Sequence, residues 1–270
     1  MKRESTMKNW MLGIPLMILG GGMSANSMSG VGDIAKAMAE RTLESRHASW
    51  KEEVLLHDGK KLIVERAQRY GGYTEPASTE RSVAKEEWVF RIPGSDRKVT
   101  WKSDFSRPPE GDSLMLLQLN FLNGVPYIAT SPAGCLSYNH WKRPNPPYVF
   151  FKYDGKAWRQ IPLSAFPVVF KESNVGGGAN PKKLAGTTLS ADRIKEEKWN
   201  LEPYLREIVR EPLKPGAMDC AEMVYDGKGG WIGIGWFRDQ PSREACLRYC
   251  ARNQIVPQFC PCDRFFRESE

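Results

Sequence analysis

Glycine-terminated turn dipeptides recur along this chain and constrain its fold more than any other feature. Asp58-Gly59, Asn123-Gly124 and Asp154-Gly155 each lie between runs of apolar, β-branched or aromatic residues. A two-residue type I′ hairpin turn needs positive φ at both positions, which glycine adopts freely and Asn or Asp tolerates. Each dipeptide therefore predicts an antiparallel hairpin whose register follows from the turn.

On that rule, Glu52–His57 returns as Lys60–Arg66, with His57 facing Lys60, Leu55 facing Leu62 and Val54 facing Ile63. A looser hairpin spans Glu87 to Trp101 around Pro93-Gly94-Ser95-Asp96. In the third, Leu117, Leu119 and Phe121 alternate with Gln118 and Asn120 before Asn123-Gly124 turns into Val125–Thr130. That is period-2 patterning with one buried face. The fourth, Tyr148–Ile161, turns at Asp154-Gly155 and sets Phe151 opposite Trp158. A fifth, Met223 to Phe237, turns through Asp226–Gly230. Asp-Gly-Lys recurs at unequal intervals, which argues against the regular blades of a propeller. The expectation is a mainly β protein. Antiparallel hairpins over 50–172 form a sandwich, barrel or twisted sheet, and a smaller α+β, Cys-rich part over 182–270 packs on them.

Helical signals come late. Asn174–Pro181 is Gly-rich and reads as a linker or long loop. Ser190 caps a predicted helix through Trp199, with Ile194 and Lys198 one turn apart. A short helix follows over Pro203–Arg210, then another over Pro241–Asn253, and Ile255–Phe266 reads as extended.

The N-terminus points to a compartment. Lys2, Arg3 and Lys8 precede the apolar run Met11–Leu19, which Gly20-Gly21-Gly22 breaks; Ala25-Asn26-Ser27 then offers small residues for cleavage. This is the pattern of an export signal over 1–27, and the run falls short of the ~20 apolar residues that span a bilayer. Residues 28–49 read as a leader or a short helix capped by Asp33. The mature chain is expected to be periplasmic or secreted, with no membrane span after cleavage. Removing Lys2, Arg3, Lys8 and Glu4 takes the net charge from +7 to about +5. That surplus suits a protein partner or an anionic envelope component. No block of like charges indicates nucleic acid.

In that compartment six cysteines predict disulfides. Cys246 and Cys250 lie one helical turn apart on one face, so they rarely bridge each other. The economical pattern joins them to Cys260 and Cys262, in either order, and leaves Cys135 with Cys220. The same four tail thiolates form the alternative, a tetrahedral zinc site, although paired C-x₂-C spacing is lacking. No metal or cofactor is therefore expected.

With only His47, His57 and His140 present, acid–base chemistry is restricted. Cys135 with His140 lacks an orienting third group, and no phosphate loop, nucleophile elbow or calcium loop is complete. No catalytic residue is assigned. The best recognition surface is Tyr138, His140, Trp141, Lys142, Arg143 and Tyr148, where aromatics and cations share a Pro-stiffened backbone. The bland reading makes the same stretch a rigid connector.

Four phrases are fairly specific: Leu56-His57-Asp58-Gly59-Lys60, Cys135-Leu136-Ser137-Tyr138-Asn139, Arg143-Pro144-Asn145-Pro146-Pro147-Tyr148-Val149-Phe150-Phe151-Lys152-Tyr153-Asp154-Gly155 and Arg210-Glu211-Pro212-Leu213-Lys214-Pro215-Gly216. In them the run from Trp50 to about Cys220 resembles a group of exported proteins of Gram-negative bacteria with no assigned activity. The resemblance implies export and transfers no site residues; the Cys-rich end from Cys246 departs from it. The functional expectation is a non-enzymatic envelope binding protein. A periplasmic immunity protein and a secreted hydrolase with a dispersed site are the alternatives.

Overall fold

The computed structural model describes residues 47–74, 81–103, 113–176, 181–199 and 201–266, so the expected export signal over 1–27 and most of the expected leader lie outside it. Strands β1 (His47–Leu55), β2 (Lys61–Thr74), β3 (Arg81–Arg91) and β4 (Lys98–Ser103) are followed by β5 (Leu114–Leu122) and β6 (Val125–Pro132). Helix α1 (Cys135–His140) precedes β7 (Val149–Tyr153) and β8 (Trp158–Ile161). Then come α2 (Pro181–Leu184), β9 (Thr188–Leu189), α3 (Ala191–Lys198) and α4 (Pro203–Arg206). The end carries β10 (Met223–Tyr225), β11 (Trp231–Gly233), α5 (Gly235–Arg238), α6 (Arg243–Arg252) and α7 (Cys262–Phe265).

The strands form a five-stranded sheet, β4-β3-β2-β1-β9, and a four-stranded sheet, β5-β6-β7-β8; β10 and β11 pair separately. Among the described strands every pairing is antiparallel except β1 with β9. Val54, Val64, Trp88, Phe90, Val99 and Trp101 of the first sheet share one core with Leu116, Leu119, Phe121, Ile128, Val149 and Phe151 of the second. Phe90 meets Phe121 edge-on at 5.7 Å, and Trp101 meets Phe151 at 6.0 Å. These are the interdigitating inner faces of a β-sandwich.

Side chains stitch its two corners. Asn174 Nδ2 donates to the Leu55 and Leu119 carbonyls at 2.9 and 2.7 Å, and its Oδ1 accepts from Leu119 N at 2.9 Å. At the other corner Trp158 Nε1 donates to the Thr100 carbonyl at 2.9 Å. The sheets stay separate there, so no barrel closes.

The second sheet is covered on both faces. Leu117, Tyr127, Ala129 and Phe150 pack under Phe166, Phe170 and Ile208, which belong to the connections that follow β8 and α4. The expected single buried face of β5 is therefore corrected. A register shift between Leu116 and Gln118 sends Leu117 to the opposite face from Leu119, and Gln118 and Asn120 are buried as well. Gln118 satisfies part of its polarity by donating from Nε2 to the Glu172 carbonyl, while Asn120 Oδ1 accepts from His57 N.

The hairpins form, but two registers differ from expectation. Asn123 (φ 53) and Gly124 (φ 75) make the expected two-residue turn, with Leu122 opposite Val125. Around Asp58-Gly59 only Gly59 has positive φ, at 82, and Leu56 N donates to the Lys60 carbonyl. The loop therefore takes three residues. Leu55 faces Lys61, and Val54 faces Leu62. At Asp154 the carboxylate accepts from the Lys156 and Ala157 N–H groups at 2.8 and 2.7 Å, and Asp154 N donates to the Ala157 carbonyl at 3.0 Å, so the two-residue loop is Gly155-Lys156 and the register shifts. Those N–H groups, together with Arg159, hold the Asp154 carboxyl well below the usual carboxylate range. The aromatic partner of Trp158 is Tyr153, not Phe151.

The fifth hairpin returns only to Gly233, and Phe237 sits in α5, buried in the Cys-rich lobe. Ser190 caps α3 as expected, accepting from Arg193 N–H, and Ser242 caps α6, accepting from Ala245 N–H. The expected helix over Pro203–Arg210 stops at Arg206, because Ser173 N donates to the Arg206 carbonyl and Ile208 N to the Lys171 carbonyl. The tail expected as extended instead contains a 3-10 turn at Pro257–Phe259 and α7.

Gly124 carries the cleanest test of the turn chemistry. An added Cβ there meets nothing within 4 Å, so any penalty comes from backbone strain. Gly124→Val is expected to lower stability by about 1–2 kcal/mol. An unchanged denaturation midpoint would contradict the left-handed turn.

Candidate functional site

One row across the first sheet breaks the rule that inward positions are apolar. Trp50 on β1 lies opposite Arg66 on β2, Arg66 opposite Trp88 on β3, and Trp88 opposite Trp101 on β4. The Arg66 guanidinium lies 5.0 Å from the Trp50 ring centre and 5.4 Å from that of Trp88, so it is held between two π faces. Two buried carboxylates flank it, Glu52 on β1 and Glu86 on β3. Arg66 Nη1 donates to Glu52 Oε1 at 2.8 Å and to the Gly176 carbonyl at 2.5 Å; Nε donates to Glu86 Oε1.

The carboxylates are oriented in turn. Glu52 accepts from Trp50 Nε1 at 2.7 Å and from Gly176 N at 3.1 Å. Glu86 accepts from Gln68 Nε2 at 3.0 Å, and Gln68 Oε1 accepts from the Tyr70 hydroxyl at 2.8 Å. Glycine at 176 lets the backbone approach without displacing its neighbours: a Cβ would sit 2.7 Å from the end of the Leu189 side chain and 3.2 Å from Glu52 Oε1. Burial works against the Arg66 charge, but Glu86 and Glu52 outweigh it and hold the guanidinium further above its ordinary range. Burial also pushes the Tyr70 hydroxyl up to about 12.

Lys198 completes the cluster from α3. It follows Ile194 by one turn on the buried face of that helix, and it is only 8% exposed. Its Nζ is buried and has no hydrogen-bond partner among the described residues. Burial brings this amine down to about 7, against the pull of Glu52 and Glu172. An amine that is uncharged near neutral pH is equipped for nucleophilic or general-base work, and perturbed groups of this kind mark candidate sites.

Sequence reasoning did not single out Glu52, Arg66, Glu86 or Lys198. A signal was present: Glu52 shares strand parity with Ala48, Trp50 and Val54, all of them buried.

The expected recognition surface is largely an internal clamp. Tyr138 and Tyr148 are buried, and Trp141 packs against the sandwich core. Arg143 lies over the Tyr138 ring at 4.9 Å and donates to Asn139 Oδ1 and the Cys220 carbonyl, beside the Cys135–Cys220 pair. Only His140 and Lys142 of the six are exposed. The aromatic rings face inward because the sheet and the chain after α4 supply the apolar surface they need.

The Tyr148 hydroxyl lies 2.7 and 3.1 Å from the Tyr204 and Glu207 carbonyls and accepts from Val209 N at 3.2 Å. Burial pushes this hydroxyl up to about 12. Tyr148→Phe is expected to cost about 1–3 kcal/mol by leaving the Val209 N–H without its acceptor. Thermal melting of the purified variant checks this; an unchanged Tm would place the clamp elsewhere.

The six cysteines lie in three pairs at disulfide distance: Cys135–Cys220, Cys246–Cys262 and Cys250–Cys260. Among the described residues no helix is long and apolar enough to cross a membrane. No family model, curated protein or solved structure matches the chain.

Proposed function

We propose that this is an exported envelope protein that binds a protein partner through tryptophans presented on its disulfide-stapled frame. The observation that carries the reading is the exposure of Trp199 and Trp236, at 78% and 65%. Tryptophan is among the side chains most often dominant at interfaces, because a large apolar ring gains much from losing water. Trp236 stands on α5 beside the buried Phe237, in the lobe closed by Cys246–Cys262 and Cys250–Cys260. Its backbone is therefore anchored, which lowers the ordering cost of binding. Trp199 follows α3, with the Arg206 guanidinium over its ring at 5.6 Å.

The three cysteine pairs, the charged and then apolar N-terminus and the resemblance to exported proteins of Gram-negative bacteria support export. The immobilised mature chain should retain a partner from envelope extract that Trp236→Ala loses, with the Tm unchanged. Equal retention by wild type, Trp236→Ala and Trp199→Ala would overturn the aromatic surface. Protein from a periplasmic fraction should begin near Ala25 or Ser27; intact Met1 in the cytosol would overturn export.

A further inference from the structure

The two tail disulfides do not stand apart from each other. Their four sulfurs form one cluster. Across the bonded pairs, Cys250 Sγ lies 3.7 Å from Cys262 Sγ, and Cys260 Sγ lies 3.3 Å from Cys262 Sγ. The sulfurs of Cys246, Cys250 and Cys262 all fall within 4.8 Å of one another. In a tetrahedral zinc thiolate with bonds of about 2.3 Å, neighbouring sulfurs are about 3.8 Å apart. The Cys250–Cys262 and Cys260–Cys262 spacings lie within about 0.5 Å of that edge, while Cys260 falls outside the 4.8 Å group and would have to move towards Cys246. The spacings within the pairs would open by about 2 Å once the bonds are broken, on Cα frames 5.7 and 6.0 Å wide.

We propose that, when both tail disulfides are reduced, Cys246, Cys250, Cys260 and Cys262 bind one zinc ion as four thiolates. Helix α6 supplies two ligands from successive turns of one face, and the chain around α7 supplies the other two. Cys246, Cys250 and Cys262 are buried among Phe237, Ile255 and Phe259, the closed and dry setting of a structural site. The change of state balances. Two equivalents of a dithiol reduce the two disulfides, giving four thiols and two oxidised dithiols. Zinc then binds the four sulfurs and releases four protons. Cys135 and Cys220 clamp α1 to the chain before β10 and supply no ligand. The inference is independent of the proposed partner binding.

The test uses the full chain, reduced anaerobically with a dithiol and titrated with zinc chloride. The expected result is one zinc per reduced chain and none per oxidised chain. Four of the six thiols should be protected from alkylation, and the near-ultraviolet circular dichroism should match that of the oxidised protein. Cys262→Ser and Cys246→Ser should each weaken zinc binding about tenfold or more, and the Cys135→Ser/Cys220→Ser double variant should keep it. A reduced chain that stays zinc-free, that binds zinc equally well without Cys246 or Cys262, or that unfolds and is not restored by zinc overturns the proposal.

Discussion

Arg66→Met is expected to destabilise the protein by about 3–5 kcal/mol, among the largest effects that any single side chain here can produce. The substitution leaves Glu52 and Glu86 buried without their shared counter-charge, and a buried ion stripped of its partner costs this much. Methionine fills the slot between Trp50 and Trp88, so the loss is electrostatic rather than a cavity. The triple variant Arg66→Met/Glu52→Gln/Glu86→Gln should recover most of the deficit, since intact buried ion pairs contribute little beyond their own desolvation cost. Urea unfolding should show a lower midpoint for the single variant with an unchanged slope. A single variant within about 0.5 kcal/mol of wild type would mean that water reaches the carboxylates.

The turn dipeptides show where sequence reasoning succeeds. Asn123-Gly124 fixes its hairpin because both residues adopt positive φ, so turn and ladder agree. Asp58-Gly59 and Asp154-Gly155 announce turns but not registers. Asp58 keeps a negative φ, and the Asp154 carboxylate captures two N–H groups. A side-chain acceptor that competes with the ladder is a local event that the dipeptide does not encode.

The candidate site was less legible. Lys, Arg and Glu on a strand ordinarily face water, so parity with Trp50 and Val54 was weak testimony for Glu52 until the Gly176 backbone arrived from far along the chain. The aromatics around Tyr148 were visible as a group. What could not be read was that the chain after α4 would cover them, because that contact spans a long sequence separation. The cysteines were the most legible long-range feature, since a helix leaves Cys246 and Cys250 few partners.

Lys198→Met is expected to stabilise the protein at pH 7, by about 2–4 kcal/mol. The folded amine gives up its proton near 7, whereas an unfolded lysine does so near its ordinary 10.5. Between those values the unfolded chain binds the extra proton, so wild-type stability rises with pH across that window. Below about 7 both states are charged and the full penalty of burying the cation applies; above about 10.5 both are neutral and the penalty is gone. The advantage of methionine should therefore be largest at pH 6.5 and shrink towards zero by about pH 10.5, while Lys198→Arg should be worse than wild type throughout. The groups that bear on this amine are Glu52 on β1, itself held by Arg66, and Glu172 in the chain after β8. Their pull is too small to offset the burial, which is why the sign favours the uncharged form. Urea midpoints of wild type and variant at pH 6.5 and pH 9.5 decide the matter. A methionine variant that is less stable than wild type at pH 6.5 would show that Lys198 is charged and paired in the folded protein. A stabilised variant with the expected pH dependence would show that the fold carries a destabilising, neutral amine beside its buried Glu52–Arg66–Glu86 cluster.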